Sequence, residues 1–278
     1  MATDVTAGDA ETAMAVREPA PLKAAAPPVG REHRRRFLFI YGLLAAVLGA
    51  AVAGVVVYAG QTIRPGPAWS AWKPHGGGLG AAKEIASQVS KSYRLPNGDQ
   101  LVDVIAGAPL APVVSGSTTV KIPIDYVALH GTSTTSDTLI PVSSSNSVVY
   151  SLCGLGTSCS IAPGKPTVQR GTLVRREILE LALYTFKYAS GIKNVIAFMP
   201  PVAGKPTYVV YLQKTDLDAE LRAPLVQTLA AKTPLPSTIP ARETQTVQTT
   251  TSSRTFSVVR ISPTPQGDAV LELAPLTA

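Results

Sequence analysis

Cys153 and Cys159 frame Gly154, Leu155, Gly156, Thr157 and Ser158. Thiols at this spacing close a tight loop, the two glycines can adopt positive φ, and outside the cytoplasm a disulfide is the natural state of the pair. Closing so short a loop removes roughly 2 kcal/mol of unfolded-chain entropy. Redox pairs use Cys-x-x-Cys, a different spacing, so the expected role is structural. Two cysteines are also too few for a Cys-built zinc site. The histidines, His33, His75 and His130, are far apart, and there is no calcium loop or Gly-rich phosphate loop. No cofactor or metal is expected.

Nucleophilic chemistry has three partial patterns. Ser70, Ala71, Trp72, Lys73 fits Ser-x-x-Lys, and Ser144, Ser145, Asn146 fits Ser-x-Asn, but Lys232 and Thr233 are followed by Pro234, so the Lys-Thr-Gly of penicillin-binding proteins is missing. His130, Cys159 and Arg170 supply the residue types of a sortase, in which nearby positive charge activates the thiolate. The Thr-Leu-x-Thr-Cys motif is absent, however, and a disulfide to Cys153 would remove the nucleophile. Gly156 to Cys159 also lacks the Ser-x-Gly-Cys of an L,D-transpeptidase. Glu177 and Glu180 are spaced like a carboxylate pair, but beside Arg175 and Arg176 they read as a solvated or salt-bridged stripe. No constellation is complete. The expected function is a non-catalytic binding or scaffold domain; the alternative is an envelope hydrolase or transpeptidase, sortase-like or serine-dependent, whose site is assembled from sequence-distant residues.

The elements that would carry these residues begin with a membrane segment. Phe37 to Ala59 runs 23 residues without a charge, long enough at 1.5 Å per residue to cross a hydrocarbon core of about 30 Å. A signal peptide has a shorter apolar region nearer the N-terminus, so an uncleaved signal-anchor is expected. Arg34, Arg35 and Arg36 precede the span, and only Arg64 follows within a dozen positions, which by the positive-inside rule keeps the N-terminus cytoplasmic. The C-terminal part is then extracytoplasmic. Gly42, Ala46, Ala50 and Gly54 recur every four residues, as do Ala45, Gly49 and Ala53, a pattern that lets a homodimer form through the helix.

Residues 1–36 form a tail poor in large apolar side chains and read as disordered. Residues 60–80, with four glycines from Gly76 to Gly80 and the only tryptophans, Trp69 and Trp72, read as a juxtamembrane spacer. Its tryptophans suit either the headgroup level or docking on the domain. Residues 81–278 read as one domain. Apolar spacing predicts helices over 81–93, 171–189 and 224–232, the second being the central buried one. Strands are expected over 101–105, 120–126 (an edge strand, because of Pro123), 148–152, 195–199, 207–213, 256–261 and 269–273; residues 233–254 read as a linker or long loop. This order indicates α+β, one domain with a mostly antiparallel sheet.

Charged residues are 15% of the 278, against roughly 25% in soluble domains, while the hydrophobic fraction is 45%. The uncharged span and the Ser, Thr, Gln and Pro of the domain account for the difference. The net charge of +7 is scattered, without a basic stripe interleaved with aromatics, so no nucleic acid partner is expected. Expected partners are the lipid bilayer and a protein or cell-wall component. Basic leader, single span, Trp-bearing spacer, Cys-Gly-Leu-Gly-x-x-Cys loop and the Leu179 to Tyr188 helix segment together resemble single-pass envelope proteins of high-GC bacteria. That resemblance implies placement in the cell envelope and carries no activity.

Overall fold

The computed structural model describes residues 31–60, 68–115, 118–131, 137–156, 159 and 167–276. The tail at 1–30 and the inner part of the spacer at 61–67 lie outside the described residues. The chain divides into two units, one ending at Arg64 and one beginning at Pro65.

The first unit contains helix α1 (Arg31–Gly60). Its segment Arg36–Val55 is long and apolar enough to cross a membrane, and none of it is buried. The helix begins six residues before the apolar run, so Arg34, Arg35 and Arg36 belong to its first turns instead of to the tail.

The second unit is mixed α/β. Among the described residues nine strands make one sheet: β1 (Asp103–Gly107), β2 (Leu110–Ser115), β3 (Thr118–Leu129), β4 (Thr138–Pro141), β5 (Ser147–Cys153), β6 (Asn194–Phe198), β7 (Tyr208–Gln213), β8 (Thr255–Pro263) and β9 (Ala269–Pro275). The hydrogen-bonded order is β1-β5-β6-β7-β8-β9-β3-β2, with β4 also beside β3. Only β5 with β6 and β3 with β9 run parallel; the other pairs are antiparallel. The two ends of this order, β1 and β2, are joined through Ala108 and Pro109 alone, a reach of at most about 11 Å from Gly107 to Leu110. The sheet must therefore curl until its ends approach. Consistent with this, one core cluster consists almost wholly of strand residues, including Ile124, Val127, Ile196, Tyr211, Leu271 and Leu273, as a sheet packing on itself requires.

The alternate residues of the same strands, Val195, Ala197, Val210 and Leu212, point into a second cluster with the helices. Helix α2 (Gly78–Ser90) buries Ala82, Ile85, Ala86 and Val89 there. Helix α3 (Val168–Tyr188), the crossover between parallel β5 and β6, is buried on nearly every side, from Leu173 and Val174 to Phe186. Its N-cap, Thr167, accepts a bond from the Arg170 backbone N–H. Beyond its end Gly191 takes φ of +83°, where an added Cβ would lie 3.1 Å from the Ser145 carbonyl oxygen. The chain continues through a 3₁₀ turn (Lys214–Leu217) and helices α4 (Asp218–Arg222), α5 (Leu225–Thr228) and α6 (Ala241–Thr251).

Several expectations are corrected. The linker at 233–254 contains α6, which Val247, Glu243 and Thr251 anchor in the interior. The helix at 224–232 shrinks to the single turn of α5. α2 starts and ends three residues early, leaving Tyr93 buried but outside it. In β3, Val120 and Tyr126 are exposed and Val127 is buried, because a register shift between Ile124 and Tyr126 exchanges the faces. Pro123 marks a boundary within β3: pairing with β9 begins only at Ile124, so among the described strands the segment before it pairs with β2 alone. Strands β2 and β4 were not anticipated in the Ser/Thr-rich sequence around them.

Candidate functional site

The cysteines form a disulfide, with the sulfurs 2.06 Å apart. Cys159 is therefore no nucleophile. His130 lies between two carboxylates: Nδ1 is 2.9 Å from Asp137 and Nε2 3.5 Å from Glu272. Glu272 also accepts from Arg260 Nε and Ser262 Oγ, each at 2.8 Å. Although burial works the other way, these bonds hold the Glu272 carboxyl below its usual range. The hydroxyl of Ser262 and the imidazole thus share a carboxylate and do not bond each other, and among the described residues no nucleophile is hydrogen-bonded to His130. His75 closes a turn on Glu84, whose oxygens accept from the backbone N–H groups of His75 and Gly76. Among the described residues no group of three or more His, Cys, Asp or Glu is placed to hold a metal ion.

The serine patterns are also taken apart by the fold. Ser70 donates to the Trp72 carbonyl at 2.6 Å and accepts from the Tyr188 hydroxyl at 2.6 Å; Lys73 is exposed. Asn146 accepts from Ser147 Oγ and the Ser143 backbone N–H in the turn before β5. Ser70 and Asn146 line different cavities.

What the fold does assemble lies on α3. Residues 68–72, read from the sequence as spacer, pack along this helix. The Trp69 ring meets Tyr184 and Tyr188 edge-on, both at 5.6 Å between centroids, and Trp72 meets Tyr184 at 5.6 Å. A backbone bond from Leu225 N to the Trp69 carbonyl, 2.7 Å, ties this segment to α5. Lys187 Nζ stands 5.5 Å from the Trp69 ring centroid and donates to the Leu221 carbonyl. Between the segment, α3 and the residues after α5 opens a cavity of about 350 Å³, walled by Trp69, Tyr184, Leu225, Val226 and Leu229, with Glu180 as its acidic group. That volume is at the lower end of the range of small-molecule sites, roughly 300–1,000 Å³.

Glu180 joins the cavity to a buried polar network. Its Oε2 accepts from the Tyr93 hydroxyl at 2.6 Å and from Arg176 Nη1 at 3.0 Å. Arg176, fully buried, also donates to the Tyr93 hydroxyl, to Glu243 Oε1 at 2.6 Å and to the Ala230 carbonyl at 2.9 Å. Glu243 Oε1 accepts the Ala230 N–H at 3.1 Å. Both backbone groups of Ala230, a wall residue of the cavity, are thereby clamped by one ion pair. Burial raises the Glu180 carboxyl against the lowering effect of Arg176 and Tyr93. Of the expected solvated or salt-bridged stripe, the salt bridge is present between Arg176 and Glu180, but Arg176 and Glu177 are buried instead of solvated. Glu177 has no hydrogen-bond partner on either oxygen among the described residues. Its carboxyl is held well above the usual range by burial first and by the Glu180 charge next, with Arg176 opposing.

The sequence reading missed the cavity because its walls come from positions more than 100 residues apart. One signal was present: two glutamates and an arginine on a helix apolar on all sides must find partners in the interior. The arrangement can hold a small ligand between aromatic faces and offer it a carboxylate; among the described residues no nucleophile is set against a base there. No protein-family model, no curated protein and no solved structure matches this chain.

Proposed function

We propose that this protein is a membrane-anchored extracytoplasmic binding domain of the bacterial cell envelope, and that its ligand or partner group enters the cavity between Trp69, Tyr184 and Glu180. The observation that carries this reading is the cavity itself, an aromatic-walled site attached to a buried arginine whose three nitrogens are all hydrogen-bonded, with no nucleophile–base pair among the described residues. α1 supports the anchor, since Arg36–Val55 spans about 30 Å at 1.5 Å per residue. The Cys153–Cys159 disulfide fits an oxidising compartment, and Arg34–Arg36 ahead of the apolar run favour a cytoplasmic N-terminus. The tethered domain then meets a protein or cell-wall component outside the membrane.

The test is photo-crosslinking in native membranes from Val226, which lines the cavity and is 63% exposed. A discrete adduct is expected, lost when Val226 is left unmodified and the crosslinker is placed at Val259 on β8. A monomeric, adduct-free profile from Val226 overturns the reading. Pairing through α1 is tested separately: Gly49→Ile, at a position where an added Cβ meets no atom within 4 Å of its own chain, should abolish a homodimer held by the small-residue face.

A further inference from the structure

The geometry points to a specific ligand chemistry for the cavity: a primary ammonium group on an apolar stem, bound with the ammonium on Glu180 and the stem between Trp69, Tyr184 and Leu229. This rests on the cavity being the binding site proposed above and says what it takes.

Three observations converge. First, the two oxygens of Glu180 are used unequally. Oε2 accepts from both Tyr93 and Arg176, whereas Oε1 accepts no hydrogen bond from any described residue, although Glu180 lines the cavity. A carboxylate oxygen at a cavity wall, within a mostly apolar surround, is satisfied best by a charged N–H donor, since charge-assisted bonds are shorter and stronger than neutral ones. Second, apart from Ser70, whose hydroxyl is bonded to the Trp72 carbonyl and to Tyr188, the other side chains of the wall are aromatic and aliphatic. Trp69 and Tyr184 present π systems, which attract ammonium groups, and Trp69 already stands 5.5 Å from the Lys187 ammonium at its ring. Leu225, Val226 and Leu229 offer only hydrocarbon, the surface a methylene stem covers. Third, the site is preorganised. Tyr93 and Arg176 fix the Glu180 carboxylate, and Arg176 with Glu243 fixes Ala230 across from it, so little ordering accompanies binding.

The local charges agree with a cationic guest. The Arg176 guanidinium is already taken up by Glu243, Glu180, Tyr93 and the Ala230 carbonyl. Lys187 is exposed and bonded to Leu221, so its charge is screened by solvent. An anionic ligand would meet Glu180 unpaired.

The protein carries its own probe, because Trp69 and Trp72 are its only tryptophans and both contact Tyr184. Full-length protein in nonionic detergent micelles is titrated with n-butylammonium chloride at constant ionic strength and with 1-butanol, which has the same number of heavy atoms and no charge. Tryptophan emission should change saturably with n-butylammonium, with an affinity at least tenfold that for 1-butanol. Glu180→Gln should lose at least tenfold of the ammonium affinity and leave the 1-butanol response unchanged. Because Glu180→Gln also touches the Arg176 network, Val226→Phe serves as an independent variant. It alters an exposed wall residue and should block both probes without lowering the melting temperature. Equal affinity for 1-butanol, or full ammonium affinity in Glu180→Gln, overturns the assignment. If Val226 crosslinks a partner in membranes but n-butylammonium does not bind, the ligand class is wrong and the binding reading stands; if both fail, the binding reading falls too.

Discussion

Replacing Glu177 by methionine should stabilise the protein, and more strongly at higher pH. Glu177 is buried at the heart of α3 with neither carboxyl oxygen hydrogen-bonded, and none of the partners of Arg176 depends on it. An unpartnered buried polar group costs about 1–3 kcal/mol, and methionine has similar size and helix propensity. The pH dependence follows from the raised carboxyl. The folded chain keeps the Glu177 proton where the unfolded chain has released it. The associated stability is thus fully present below the unfolded value of about 4.3 and is lost as pH rises through the folded value, by at most about 1.4 kcal/mol per pH unit. Methionine removes this loss. The gain of Glu177→Met over the native chain should be about 1–3 kcal/mol at pH 4 and should widen as pH rises above the unfolded carboxyl value. For a domain of this size each kcal/mol moves the melting temperature by roughly 2–4 °C. Thermal unfolding of the full-length protein in detergent, followed by circular dichroism at several pH values, reads the difference directly. Glu180 titrates in both chains, so it largely cancels in the comparison. A variant less stable than the native chain, or a gap that does not grow with pH, would refute the reasoning.

Three other changes probe the supports of the site. Arg176→Met leaves Glu243 and Glu180 without their counter-charge and should cost about 3–5 kcal/mol, with α6 losing amide-exchange protection first. Replacing both Cys153 and Cys159 by serine should lower stability by about 2 kcal/mol, and in the native chain neither thiol should react with maleimide before reduction. Thr167→Ala removes the α3 N-cap and should cost about 0.5–2 kcal/mol in denaturant unfolding.

How far the sequence could be read depended on whether an element is specified locally. α3 was legible because its apolar residues cover every face and Gly191 stops it; β6 and β7 were legible as apolar runs around a Pro/Gly turn. α6 was not. Its five Thr residues have weak helix propensity, and it is held by contacts with α3, namely Val247 in the core and Glu243 on Arg176. The β3 alternation misled because the register shift after Ile124 is set by pairing with β9, more than 140 residues later in the chain. Glu180 looked like half of a surface ion pair for a related reason. Nothing near it in sequence announces that Tyr93 would come to its carboxylate and Trp69 to the same cavity, since both arrive from the other side of the domain's chain.

The central claim, a binding domain held outside the cytoplasmic membrane by α1, is tested most directly by protease accessibility with tags at both ends of the chain. In intact spheroplasts the account predicts that added protease destroys the C-terminal tag and the disulfide-containing domain, leaving the N-terminal tag protected; inverted vesicles should show the reverse. Protection of the C-terminal tag in spheroplasts, or release of the whole chain from membranes by carbonate washing, would contradict it.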